Sequence, residues 1–207
     1  MKIEAQVGPQ ILSDGVVDSL RAGKTGESIV QELHGRYYEQ AYRRNIYTAY
    51  CAAQATSVVG TAMVGLQVWN GSNIASGVNL VILKSAGHIA VTSASLTAVV
   101  LATGAGQVSA PASQTAATRV ANNFLGGASP NATATSLATF TSAPTAIWPL
   151  LHNTAAIAVT GEDPGWLVDF EGAIIVPPQY YVCIAAVGAA AAASGMNLSL
   201  MWEEVPV

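Results

Sequence analysis

The sequence predicts an all-β chain, folded as a single β-sandwich behind an extended, partly helical N-terminal arm. Three observations carry that expectation. Short apolar runs recur from about residue 62 to the C-terminus, of strand rather than helix length. In the last run Leu198, Leu200 and Trp202 share one side, with Asn197, Ser199 and Glu203 on the other. Clusters of Gly, Pro, Asn and Ser punctuate the intervals between runs.

Residues 1–44 read as the arm and its lead-in, and residues 45–207 as the sandwich. Gly8-Pro9, Asp14-Gly15 and Lys24-Thr-Gly26 break the first 32 residues into short pieces, with a turn or two of helix over Val16–Arg21. Such a segment is either a flexible terminus or an arm that lies along a partner. Next, Ile29, Leu33, Tyr37 and Ala41 recur every four residues, the spacing of one helical face. Gly35 and Tyr37-Tyr38 weaken a long helix, and the alternative is a short helix with an extended approach to the first strand.

The strands follow in order. Ala62–Trp69 places Val64, Leu66 and Val68 on one face, and Asn70–Gly77 is a loop. Val78–Lys84 is apolar on both faces, as a central strand is. Ile89–Val91 and Ser95–Leu101 come next, before a weakly patterned stretch from Ser109 to Thr118. After the Gly126–Asn131 loop, strands are expected at Leu137–Phe140, Ala146–Leu151, Ala155–Val159 and Trp166–Phe170. Gly172–Pro178 is an apolar run ending on two prolines, which cannot donate to a ladder and so mark a corner before Gln179–Val187. Asn197–Val207 closes the sheet. Strands this short, joined by small-residue loops, make a jelly roll the leading sandwich topology.

Charge is scarce and unevenly placed. Charged residues are 10% of the chain, and six of the eight Lys and Arg residues fall within the first 44 positions. Asn45 to Gly161 contains no acidic residue and only Lys84 and Arg119 as bases. A surface of Ser, Thr, Asn and Ala with so few charges suits a protein partly covered by neighbours, since free monomers usually carry more charge. A net charge of −4 gives no support to nucleic-acid binding, which needs a basic face. Asn45–Leu83 is uncharged over 39 residues, but Gln54, Thr56, Gln67, Asn70 and Asn79 interrupt it, so strands are expected there and no membrane span. Cys51 and Cys183 each sit in an apolar run and read as small buried residues, not as a disulfide. The first residues lack the apolar core of a signal peptide, so synthesis in the cytoplasm is expected.

Catalytic patterns are not prominent. His34, His88 and His152 have no short metal-ligand spacing, and neither a Gly-x-Ser-x-Gly elbow nor a phosphate-cradling loop occurs. No cofactor or metal ligand set is assigned. Glu162, Asp163, Asp169 and Glu171 offer oxygen ligands for calcium, although Glu-Asp-Pro-Gly reads first as a turn. Glu203-Glu204 shows no partner as a catalytic pair. Five tyrosines between Tyr37 and Tyr50 are interleaved with Arg36, Arg43 and Arg44. Aromatic–arginine clusters are enriched at protein interfaces. The cluster suits a partner contact, with packing of the arm against its own domain and stacking of nucleic-acid bases as the alternatives. Trp69, Trp148 and Trp166 serve either the core or contacts between subunits.

Three stretches carry a likeness: Glu32-Leu-His-Gly-Arg-Tyr-Tyr-Glu39, the pair Gly65–Asn70 and Asn79–Lys84, and the ending from Asp169 through Met201-Trp-Glu-Glu-Val205. In these the chain resembles a group of tailed-bacteriophage virion proteins, small jelly-roll proteins that decorate or cement the capsid. The resemblance implies a non-enzymatic homotrimer on the outside of the head, bound to the major capsid protein and locking neighbouring capsomers with a terminal extension. With Arg21 and Lys24 of the arm, Arg36, Tyr37, Tyr38, Arg43 and Arg44 are the candidate contact residues for that partner. The alternative is a tail or spike component that binds a host receptor or glycan, through loops such as Asn70–Gly77 and Gly126–Ala132. A small lectin-like or cupin-like enzyme domain is a third reading, disfavoured by the missing histidine cluster.

Overall fold

The computed structural model of the protein describes residues 5–6, 20–21, 36–55, 62–75, 77–89, 98–106, 108–109, 118–123, 125–140, 142–152, 165–187 and 195–207. The chain divides into two compact units, Met1–Glu39 and Gln40–Val207. In the first, β1 (Ala5–Gln6) and β2 (Leu20–Arg21) form a short parallel pair. The helical turn expected over Val16–Arg21 is thus corrected at its end. Leu20 and Arg21 find backbone partners in β1, and so short a segment gains little from a helix whose nucleus is costly. Residues 16–19 lie outside the described part. A short helix, α1 (Tyr38–Tyr42), and a turn precede the first sandwich strand, the shorter of the two expected arrangements.

The sandwich strands are β3 (Ile46–Ala55), β4 (Ala62–Trp69), β5 (Val78–Ile89), β6 (Ala98–Ala105), β7 (Val108–Ser109) and β8 (Thr118–Asn122). They continue with β9 (Thr133–Phe140), β10 (Thr145–His152), β11 (Gly165–Val176), β12 (Tyr180–Val187) and β13 (Gly195–Pro206). One sheet runs β10-β6-β12-β4-β9-β7 and the other β11-β5-β13-β3-β8, every neighbouring pair antiparallel. The two pack face to face as a β-sandwich. Four pairs are nested in sequence: β3 with β13, β4 with β12, β5 with β11 and β6 with β10. A long hairpin wound into two sheets gives this nesting, which is the winding of a jelly roll. The innermost part departs from it, because β8 joins β3 and β9 joins β4 instead of pairing with each other.

β4 has the expected bounds, and Leu198, Leu200 and Trp202 are buried as their spacing required. Asn45–Leu83 supplies β3, β4 and much of β5, and among the described residues no helix is long and apolar enough to cross a membrane. Three strand expectations are corrected. Ile89 does not start a new strand but ends β5, which stays paired with β13 as far as Met196. β6 begins at Ala98 and runs through Ala102-Thr-Gly-Ala105, whose small residues resemble a loop in isolation. Gly104 fits there because any side chain would strike the Tyr181 ring. Trp166–Phe170 and Gly172–Val176 form one strand, broken by a bulge. There Glu171 and Gly172 take φ of 53° and 79°, and the Glu171 amide donates to Asp169 Oδ1 at 3.0 Å. The expected strand Ala155–Val159 lies outside the described residues.

The main core lies between the sheets, with Tyr47 stacked on Trp202 at 6.0 Å. Strand β12 is buried on both sides. Val182, Ile184 and Ala186 face the main core, while Tyr181, Cys183 and Ala185 join Val100, Ala102 and Phe140 in a second cluster. Tyr181 lies flat on Phe140, ring centres 4.1 Å apart. Neither cysteine is in a disulfide, and both are fully buried, one in each cluster, as small core residues.

The Pro177-Pro178 corner is in place between β11 and β12, and it is tied to the β4–β5 loop. Gln179, at φ 67°, donates through its amide nitrogen to Asn70 O at 2.7 Å and through Nε2 to Ser72 O at 3.0 Å. Asn70 is fully buried and donates to Val78 O and Val176 O at 2.7 and 3.0 Å. Its Oδ1 accepts from Ser72 Oγ at 2.6 Å. One side chain thus joins the ends of three strands.

Candidate functional site

The outer face of the five-stranded sheet holds a cleft whose origin lies in side-chain size. Register sets Leu167, Ala86, Ser199 and Tyr50 in one row across β11, β5, β13 and β3. The adjoining row sets His88 beside Asn197. Ala86 and Ser199 are small, and the larger Tyr50 and His88 rise on either side. The result is an open cavity of about 260 Å³. Trp166 packs behind it, on the core side of the sheet. Its indole lies against Gly87, where a Cβ would collide with the ring, and Nε1 donates to Ser85 Oγ at 3.2 Å.

The polar groups of the cleft form a chain. Tyr50 Oη donates to Asn197 Oδ1 at 3.1 Å, and Asn197 Nδ2 lies 2.8 Å from His88 Nε2. In this amide orientation Nδ2 donates and His88 Nε2 accepts. The imidazole is held in place, with Nδ1 remaining for a ligand. Tyr50 Oη keeps acceptor capacity, and Ser199 adds a hydroxyl one strand away.

The candidates named from sequence lie elsewhere. Arg36, Tyr37 and Tyr38 fall in the first unit, where the Arg36 guanidinium sits over the Tyr37 ring at 5.5 Å. Arg43 and Arg44 are exposed in the turn after α1, with Arg44 at φ 67°. Arg21 belongs to β2, and Lys24 and His34 are outside the described residues. Trp166 is buried in the main core, Trp69 packs on the second cluster, and Trp148 is half exposed against Phe170.

The two loops expected to present polar side chains engage only some of theirs. Asn70 and Ser72 are engaged in the bonds above, while Asn73 and Ile74 are exposed at the tip of the first loop. In the second, Asn131 and Ala132 are held by Glu204. Glu203 and Glu204 point to opposite sides of β13. Glu204 is buried, while partial burial of Glu203 raises its carboxyl above the usual range. They form no catalytic pair. Asp169 lies 3.5 Å from Lys84, Glu162 and Asp163 are outside the described residues, and among the described residues no group of His, Cys, Asp and Glu is set to hold a metal ion.

Sequence reasoning missed the cleft because its members are far apart in the chain, Asn197 and His88 by 109 residues. The outward positions of Asn197 and Ser199 were legible, and only the register adds Tyr50 and His88 to them. No protein-family model, no curated protein and no solved structure matches the chain.

Proposed function

We propose that the chain is a non-enzymatic structural protein of a tailed-phage virion, a decoration protein that trimerises on the head and binds the major capsid protein. One observation carries the reading. β10 and β11 end their sheets on the same side of the sandwich, where Trp148 meets Phe170 edge-on at 5.7 Å. Along these strands Leu167 is 74% exposed, Ile175 60%, and Ile147 and Trp148 42% each. These exposed apolar residues lie along edge strands that have no outer partner among the described residues, interrupted on β11 by Asp169 and Glu171. On a domain poor in charge, such a margin fits a subunit covered by neighbours. Many identical contacts over a shell make modest energies sufficient. Arg21, Lys24, Arg36, Tyr37, Tyr38, Arg43 and Arg44 remain the proposed shell contacts.

The reading is tested by adding purified protein to heads that lack it. Saturable binding at a fixed ratio to the major capsid protein is expected, and Leu167→Glu with Ile175→Glu abolishes it. Unchanged binding by that double variant removes the apolar margin from the interface. The second reading, a tail or spike subunit that binds a host glycan, is favoured by the Tyr50–Asn197–His88 cleft.

A further inference from the structure

We infer that the cleft between Tyr50 and His88 is a binding site for a neutral, hydroxyl-rich ligand, a single sugar unit at the end or branch of a saccharide. The inference rests on the cleft alone and holds for a head or a tail location. Size is the first argument. At about 260 Å³ the cavity lies below the range of sites for drug-sized molecules and suits one small ring. Chemistry is the second. The groups that converge are a phenol, an amide, an imidazole and an alcohol, and between them they both donate and accept. A sugar hydroxyl also does both.

Charge argues the same way. Among the described residues no Asp, Glu, Lys or Arg lines the cleft, and the register sets Arg119 of β8 one strand beyond it, opposite Tyr50. Across the same face, one outward position further along β5 and β11, Lys84 and Asp169 lie 3.5 Å apart and pair with each other. The lining groups themselves offer a phosphate or an acidic sugar no pairing cation in return for the water it would shed. The Tyr50 ring, 41% exposed, supplies apolar wall for a C–H face of a pyranose. The site is also preorganised. Asn197 is held from both sides, which fixes His88 and Tyr50 before any ligand arrives and lowers the ordering cost of binding. A shallow, neutral site of this kind binds weakly, and repetition over many copies converts weak binding into attachment.

The test titrates the full chain with galactose, N-acetylglucosamine, glucose and lactose, following the His88 imidazole and Asn197 amide resonances by NMR. Glucuronate and inorganic phosphate are the charged controls. The expected result is a saturable shift at both residues with at least one neutral sugar in the millimolar range, and none with the controls. Tyr50→Ala weakens that binding by about tenfold or more. Ser199→Val, which removes a hydroxyl for which no partner is found among the described residues, weakens it as well and keeps the test valid if Tyr50→Ala does not fold. Silence of both resonances with all four sugars overturns the inference. So does binding that survives both substitutions, or equal binding of glucuronate or phosphate.

Discussion

The carboxylate of Glu204, near the end of the last strand, accepts hydrogen bonds from both the backbone and the side chain of Asn131, at 3.0 and 2.7 Å through Oε2. Oε1 accepts from the Ala132 amide at 3.0 Å. A buried carboxylate is costly unless its oxygens are satisfied, and here three donors satisfy them. The contact fixes the Gly126–Ala132 loop at the point where β9 begins.

Glu204→Gln therefore places an amide NH₂ against donors. About 2–4 kcal/mol of stability is expected to be lost, the worth of one or two charge-assisted bonds plus a donor left unpaired. Urea unfolding measures it as a lower midpoint at unchanged slope. An unchanged midpoint would show that the loop is not held this way.

Asn70 is the second polar residue on which the fold depends. Asn70→Asp turns a group that donates to Val78 O and Val176 O into one that repels both. A loss of about 3 kcal/mol or more is expected, greater than for Asn70→Ala, and a melting temperature roughly 6–12 °C lower. Equal melting of the Asp and Ala variants contradicts this. Asn70-Gly-Ser72 also matches a glycosylation sequon, and the burial of Asn70 predicts no modification of the folded chain.

Alkaline pH acts through Tyr181. Burial, and then the neighbouring Cys183, push its phenol up to about 12 from its ordinary value of 10.0. Below pH 10 the phenol is protonated in both folded and unfolded chains. Between these values the unfolded chain releases the proton and the folded one keeps it, so stability falls as pH rises towards 12. Spectroscopic titration is expected to find one tyrosine ionising late, together with unfolding. Tyr181→Phe removes that late step, and its persistence in the variant would assign it to another residue.

The cysteines offer a probe of opening. Burial raises the Cys183 thiol far above its ordinary range, and Cys51 is fully buried. Neither is expected to react with a thiol reagent until the chain opens, so labelling should follow unfolding as denaturant is added. Rapid labelling in native buffer contradicts the two-cluster core.

What the sequence revealed and what it hid divide along a physical line. Local alternation was enough for Leu198, Leu200 and Trp202, and proline chemistry for the Pro177-Pro178 corner. Segments whose identity depends on a partner strand were misread. Ala102-Thr-Gly-Ala105 has loop composition and becomes a strand only because β12 pairs with it and Tyr181 needs Gly104. The bulge at Glu171-Gly172 resembles a turn until β5 is seen to continue beside it. The cleft was hidden for the same reason, since register alone brings His88 to Asn197 and Ser199 to Tyr50.

The most direct measurement is an electron-microscopy map of the particle that contains this protein, with its copy number. The account predicts trimers repeated over the head at lattice three-fold positions, in hundreds of copies, with the β10–β11 margin covered. Density confined to the tail, in a dozen or so copies, would contradict it.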